Sequence, residues 1–221
     1  MKDESAAAMP GPLPTYTRRT TLYKIGQGLL RMLSILLFNL RAFGLENIPR
    51  RGGVLIVSNH SSFLDPAILG VKVRRPMSFM AKSELFSHKL FAWLIRSVNA
   101  FPVRQGEGDL AAMRETIKRL QEGHILVMFP EGGRTETGEI EPLLPGIGLI
   151  LRRAGPTVKV VPAAIHGAYQ AWSRHRKIFR PWPIRVKYGP ALEISGKKTE
   201  EIVKIVDGEL HRLHEELKKM R

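Results

Sequence analysis

The 221-residue chain has no cysteine. That absence excludes disulfides, thiolate zinc sites and a thiol nucleophile, and it is compatible with a reducing cytosol. Also missing are a Gly-x-Ser-x-Gly elbow for a serine hydrolase, a Gly-Lys-Ser or Gly-Lys-Thr phosphate loop, and a His-Glu-x-x-His zinc helix. No metal requirement is implied, and chemistry rests on histidine, carboxylates and bases. Long apolar runs are scarce too. The densest one, Leu22 to Leu40, has Lys24 near its start and is interrupted by Arg31, and its longest charge-free apolar stretch is short for a bilayer crossing, which needs roughly 20 residues.

Acidic residues are few, with 35 Lys and Arg against 20 Asp and Glu, a formal charge of +15. Such an excess predicts an anionic partner: nucleic acid, an anionic lipid surface or a phosphorylated substrate. From Glu141 to Glu193 no acidic residue intervenes, and Trp172-Ser173-Arg174-His175-Arg176-Lys177-Ile178-Phe179-Arg180-Pro181-Trp182 interleaves cations with large rings. That mixture suits a lipid headgroup layer; a solvated basic loop is the plain alternative. Nothing matches a recognition helix, a zinc finger or an RNA-binding sheet motif, so nucleic acid is not expected as a partner.

Length suits one domain with a sizeable core. Residues 1–17, with Ala6-Ala7-Ala8 and three prolines, read as a loose leader. Residues 18–44 hold an amphipathic, membrane-associating segment with basic ends, best read as lying in the interface. A tilted span and a core-packing helix are the alternatives. Residues 45–221 alternate strand and helix patterns, giving an α/β fold: a single-domain mixed sheet flanked by helices. Strands are expected at Val54–Ser58, Met77–Ala81, near Phe101–Arg104, at Ile125–Phe129, Val158–Ile165 and Ile184–Tyr188. Helices are expected from Asp65 or Pro66 to Val71, around Phe86–Val98, from Asp109 to a stop at Gly123, and from Thr199 onward.

His60 and Asp65 follow the apolar run Val54-Leu55-Ile56-Val57. An imidazole can take a proton from an alcohol near neutral pH, and a carboxylate on its other nitrogen fixes the tautomer and stabilises the imidazolium. The plain alternative is a helix start, with Asp65 as N-cap and Pro66 as first helical residue. Arg104 and the pair Glu131 and Arg134 also stand at strand ends, where open α/β sheets place their ligand crevice. Each has its own ordinary reading, as a surface ion pair or a turn. The guanidinium groups offer forks for a phosphate, and Gly132 and Gly133 let backbone approach a ligand closely.

The segments Asn59-His60-x-x-x-x-Asp65, Phe101-x-x-Arg104, Phe129-Pro130-Glu131-Gly132-x-Arg134 and Val161-Pro162-Ala163-Ala164-Ile165 resemble, in order and separation, the four blocks of the glycerolipid acyltransferase family, which includes 1-acyl-sn-glycerol-3-phosphate acyltransferases. The resemblance spans about residues 45–195. It implies transfer of a fatty acyl group from acyl-CoA or acyl carrier protein to the free hydroxyl of lysophosphatidic acid, giving phosphatidic acid at the cytoplasmic face of a membrane. No cofactor beyond the acyl donor is implied. By position, His60 becomes the base, Asp65 its partner, and Arg104 and Arg134 the holders of the acceptor phosphate. Glu131 and Gly132 shape that site, with Lys82 near the same anion. Backbone amides near Gly132 are the guess for oxyanion donors. Gly133 departs from the family's usual Thr, which bears on acceptor preference, and His166 is read as structural. Another lysolipid acceptor, or a non-catalytic membrane-surface binding protein, is the competing reading.

Overall fold

The computed structural model describes residues 21–97, 99–103 and 110–220; the leader over 1–17 and Arg104 lie outside the described residues. Strands β1 (Arg41–Phe43), β2 (Val54–Ser58), β3 (Met77–Lys82), β4 (Ala100–Val103), β5 (Ile125–Met128), β6 (Lys159–His166) and β7 (Arg185–Tyr188) form one sheet. Their order is β1-β7-β6-β2-β5-β3-β4. β6, β2, β5, β3 and β4 run parallel, β7 is antiparallel to β6, and β1 runs with β7. The sheet is therefore mixed and α/β, as the alternating pattern predicts.

β2 lies near the centre of this sheet, which explains its continuous apolar run: it is buried on both faces. Because strand side chains alternate, Val54 and Ile56 enter one core with Ile68 and Leu69 of α2 (Asp65–Val71) and Ala168 and Ala171 of α6 (Ala168–Trp172). Leu55 and Val57 enter the other, with Leu120 of α4 (Leu110–Gln121), Ile147 and Leu151 of α5 (Gly146–Ala154), and Ile202, Val206 and Leu210 of α7 (Thr199–Lys219). The four-residue steps along α7 place those side chains on one face. α4 stops where Gly123 takes a φ of 89°, left-handed backbone that glycine adopts without a steric cost.

Two helices escape the periodicity reading. α5 is interrupted by glycine, and Gly148 is there because a Cβ would come within 2.5 Å of the Thr199 carbonyl oxygen; the residue lets α5 and α7 approach closely. α6 is too short to show a period. The helix expected around Phe86–Val98 is present as α3 (Lys89–Ser97), preceded by a 3-10 turn at Ser83–Phe86. Residues 41–43, inside the amphipathic segment of the sequence reading, form the edge strand β1.

The helix α1 (Thr21–Phe38) is inverted relative to an ordinary surface helix. The side chain of Gln27 donates to the carbonyls of Gly70 and Val73 at 2.9 and 3.0 Å, and Ser34 is buried. Ile25, Leu29, Leu30, Met32, Leu33, Ile35 and Leu36 all face outward. The alternative of a core-packing helix is overturned by this exposure. No helix among the described residues is long and apolar enough to cross a membrane.

A buried tie joins β7 to α2. The Tyr188 hydroxyl on β7 donates to the Leu69 carbonyl of α2 at 2.7 Å. Tyr188→Phe leaves that carbonyl without its donor and should lower unfolding free energy by about 1–3 kcal/mol; an unchanged urea midpoint would remove the tie from this account.

Candidate active site

β2 and β5 are parallel neighbours with Val57 opposite Met128, so the chain leaving each strand carries His60 and Glu131 to the same edge of the sheet. Asn59 fixes the exit from β2. Its side-chain amide donates to the Ile165 carbonyl at 3.0 Å and accepts from the Ile165 N–H at 2.8 Å, extending the β2–β6 ladder by one side chain. His60 is then gripped through its own backbone: its N–H donates to Glu131 Oε1 at 2.6 Å, and its carbonyl accepts from the Thr135 N–H at 2.9 Å.

The imidazole itself is equally constrained. Its Nδ1 lies 2.8 Å from Asp65 Oδ2, and the Phe129 ring stacks on it at 4.1 Å between centroids and 17° between planes. Nε2 has no hydrogen-bond partner among the described residues. The His60 side chain is 19% exposed and that of Asp65 0%, so the pair presents one ring edge to solvent while hiding its acid. The N-cap reading of Asp65 fails: the residue is the first of α2, with Leu64 as N-cap. Its Oδ2 turns back to accept from the N–H groups of Ser61 and Ser62 at 2.6 and 2.7 Å. Such an arrangement can hold one imidazole tautomer, Nδ1–H toward the acid, and leave Nε2 as a base.

Glu131 does not pair with Arg134. Its second oxygen accepts from the Glu141 N–H at 2.9 Å, so the carboxylate clamps the His60 loop to the loop 131–141. Burial pushes its pKa up to about 7, against the two N–H donors that favour the charged form; the neighbouring carboxylates of Asp65 and Glu141 add to the rise. Gly132 takes a φ of 74°, and a Cβ there would sit 2.6 Å from Leu144 Cδ1. Its N–H donates to the Phe129 carbonyl at 3.2 Å, so as an oxyanion donor this particular amide is already engaged in the turn.

Arg134 lies with its guanidinium carbon 3.5 Å from the centroid of the Phe63 ring, and its Nη1 is buried without a hydrogen-bond partner. Burial and the cation of Arg174 lower its pKa, while Asp65 raises it. A desolvated guanidinium nitrogen beside the His60 turn is a ready donor for an anion. Lys82 ends β3 at the same side of the sheet, exposed and paired in register with Val103 of β4. Arg104 follows Val103 directly but lies outside the described residues. The structure thus gathers His60, Asp65, Glu131, Gly132 and Arg134, with Lys82 farther along the edge.

Asn59 and Phe129 had no role in the sequence reading, although both belong to the quoted blocks; Glu141 gave no signal at all. A cavity of about 560 Å³ at the β1–β7 edge, lined in part by Asn47, Tyr188, Arg212 and Glu216, contains none of the candidate residues. Glu139, His214 and Glu215 have metal-ligand spacing, but the Lys218 ammonium already bridges the two carboxylates at 2.7 and 2.9 Å.

The Glu131 clamp carries a pH signature. A carboxyl whose folded pKa is raised contributes stability that is complete below its unfolded value, 4.5, and is lost as pH rises through about 7. Relative to Glu131→Gln, the wild-type protein should lose up to about 3 kcal/mol of unfolding free energy across that window. Urea denaturation of both proteins from acid to neutral pH checks this, and a constant difference would show that Glu131 titrates normally.

Known proteins resemble this chain in sequence and fold. The family described as Acyltransferase matches residues 39–166. A 1-acyl-sn-glycerol-3-phosphate acyltransferase of Bacillus subtilis is 30% identical over 172 residues, covering 77% of this chain and 82% of that protein. A lyso-ornithine lipid O-acyltransferase of Pseudomonas aeruginosa is 32% identical over 108 residues, 48% of this chain and 40% of that protein. The crystal structure of PlsC from Thermotoga maritima, a 1-acyl-sn-glycerophosphate acyltransferase, superposes with a TM-score of 0.75 at 27% identity, over 92% of this chain and 85% of that one. With the His60–Asp65 pair, the Glu131 loop and the sheet that carries them all falling within the match or beside it, this chain belongs to the acyltransferase family.

Proposed function

We propose that the protein transfers a fatty acyl group from acyl-CoA or acyl carrier protein to the free hydroxyl of lysophosphatidic acid, forming phosphatidic acid in phospholipid biosynthesis. The observation that carries the reading is the His60 ring: Nδ1 is held by a buried carboxylate at 2.8 Å, Nε2 is left without a partner, and a buried guanidinium nitrogen of Arg134 has no anion of its own. His60 Nε2 takes the hydroxyl proton as the acceptor oxygen attacks the thioester carbonyl carbon. Asp65 stabilises the imidazolium that results. The tetrahedral adduct collapses with cleavage of the carbon–sulfur bond, and the imidazolium returns the proton to the departing thiolate. No acyl-enzyme forms, and no cofactor beyond the donor takes part.

Arg134 binds the acceptor phosphate, Lys82 at the end of β3 and Arg104 add charge, and Glu131 with Gly132 shapes the loop that carries Arg134. The outward apolar face of α1, with Ile178, Trp182 and the exposed cations Arg176 and Lys177, supports residence on an anionic membrane at its cytoplasmic face. Apolar rings and basic side chains together are the composition that such an interface favours. A second acceptor, another lysolipid, is favoured by the similarity to the lyso-ornithine lipid enzyme and by Gly133 standing where the family has Thr.

His60→Ala should reduce acyl transfer to lysophosphatidic acid by about a thousandfold while the protein stays folded. Radiolabelled product formation and circular dichroism check this together; transfer at the wild-type rate would end the mechanism. Arg134→Ala should raise KM for lysophosphatidic acid by about ten- to a hundredfold, the loss of a charge-assisted phosphate contact, with a smaller change for an uncharged monoacylglycerol. Equal changes for the two acceptors would take the phosphate away from Arg134.

A further inference from the structure

Four aromatic rings touch in succession between the end of α1 and the His60 turn. Phe38, the last residue of α1, meets Phe179 at 5.9 Å and 66°. Phe179 meets Trp172 at 5.9 Å, and Trp172 meets Phe63 at 5.3 Å. The guanidinium of Arg134 closes the series over Phe63. Phe38 is buried in the core, but Phe63 and Phe179 are 50% and 41% exposed and Trp172 is half-buried, so these three rings form an open apolar track with Phe38 as its buried base. Its far end rests on Phe38 at the inward side of α1, one turn from buried Ser34, and its near end stands three residues from His60.

We infer that the accessible part of this row, Phe179–Trp172–Phe63, seats the single acyl chain of the lysophospholipid acceptor, with the glycerol end of the lipid toward His60. The inference rests on the acyl transfer proposed above and names a subsite for its acceptor. The choice of acceptor over donor follows from charge placement. In a lysophospholipid the phosphate lies within a glycerol's length of the chain, matching one guanidinium at the end of one apolar track. In an acyl thioester the phosphates are separated from the chain by the long pantetheine arm, and a cation directly on the terminal ring has nothing to complement. Packing a hydrocarbon chain along three part-exposed rings removes apolar surface from water at both partners.

The track is held in register with the catalytic turn. The Trp172 carbonyl accepts from Ser62 Oγ at 2.7 Å, and the Ser62 N–H is one of the donors to Asp65. The N–H of Arg180 donates to the Ala171 carbonyl at 2.9 Å, its Nε to the Gln170 carbonyl at 2.8 Å, and the N–H of Ile184 to the Phe38 carbonyl at 2.9 Å. Phe179 is thereby pinned between α1 and α6, so the rings are positioned before any lipid arrives and little ordering opposes binding.

Phe179→Ala, with Phe179→Leu as the conservative variant, separates this role from others. For palmitoyl lysophosphatidic acid, KM should rise about tenfold in Phe179→Ala, the loss of one aromatic contact, and recover most of the way in Phe179→Leu. For hexanoyl lysophosphatidic acid, too short to reach the ring, KM should stay the same, as should KM for the donor and binding to phosphatidylglycerol vesicles. Titrating palmitoyl lysophosphatidic acid without donor, read by tryptophan fluorescence, should give the same tenfold weakening. Equal effects on both acceptors, a shift in donor KM instead, or parallel loss of vesicle binding would each overturn the assignment. A wild-type protein that binds the long chain in a Phe179-dependent manner but transfers no acyl group would sink the proposed reaction and leave this subsite standing.

Discussion

One carboxylate oxygen organises the site. Asp65 Oδ2 accepts from the N–H groups of Ser61 and Ser62 as well as facing His60 Nδ1, so the same atom that orients the ring also folds the turn leading to it. A fully buried acid is costly unless it is met by donors, and here the backbone of the intervening residues meets Oδ2, while Oδ1 is buried without a partner among the described residues. The five-residue spacing is therefore a requirement of the loop: the chain must leave β2, wrap around the carboxylate and enter α2. Any change in that length would misplace the acid relative to the ring, because α2 is anchored to the core through Ile68 and Leu69.

The second constraint is the β2–β5 register. Parallel pairing delivers two loops to one edge, and Glu131 joins them by taking His60's N–H, while Thr135 takes its carbonyl. Glu131 is buried, with a pKa raised to about 7, and both of its oxygens are occupied by backbone N–H groups. Its chemistry is thus that of a brace between loops rather than of a ligand for substrate. Arg134, three residues later, is the side chain of that loop whose donors are left over, and Phe63 supplies the surface on which it rests.

Much of the sheet was legible because its central strands are buried on both faces and must be continuous apolar runs; β2 and β5 were visible for that reason. The terminal helix α7 was equally clear from its four-residue apolar steps. What stayed hidden had no period to show. α5 carries glycines needed for contact with Thr199, α6 is little more than a turn, and β1 is a three-residue edge strand defined only by its partner β7. In the site, residue types revealed His60, Asp65, Glu131 and Arg134, but not which atoms each would use. The division of Glu131 between two amides, the stacking of Phe129 and the bridging by Asn59 depend on which strands are neighbours, and periodicity along one strand does not contain that information. For α1 the pattern was read in the right place, but its orientation came only from the partners of Gln27.

That orientation bears on how the protein behaves apart from lipid. α1 clings to α2 by amide-to-carbonyl bonds and shows its greasy side to the surroundings, so water is a poor solvent for this part of the molecule. Exposed apolar area of that extent seeks cover. In a detergent-free solution the readiest cover is the identical surface of another copy, so concentrated preparations will tend to pair or cluster through α1, and surfactant micelles will compete for the same helix.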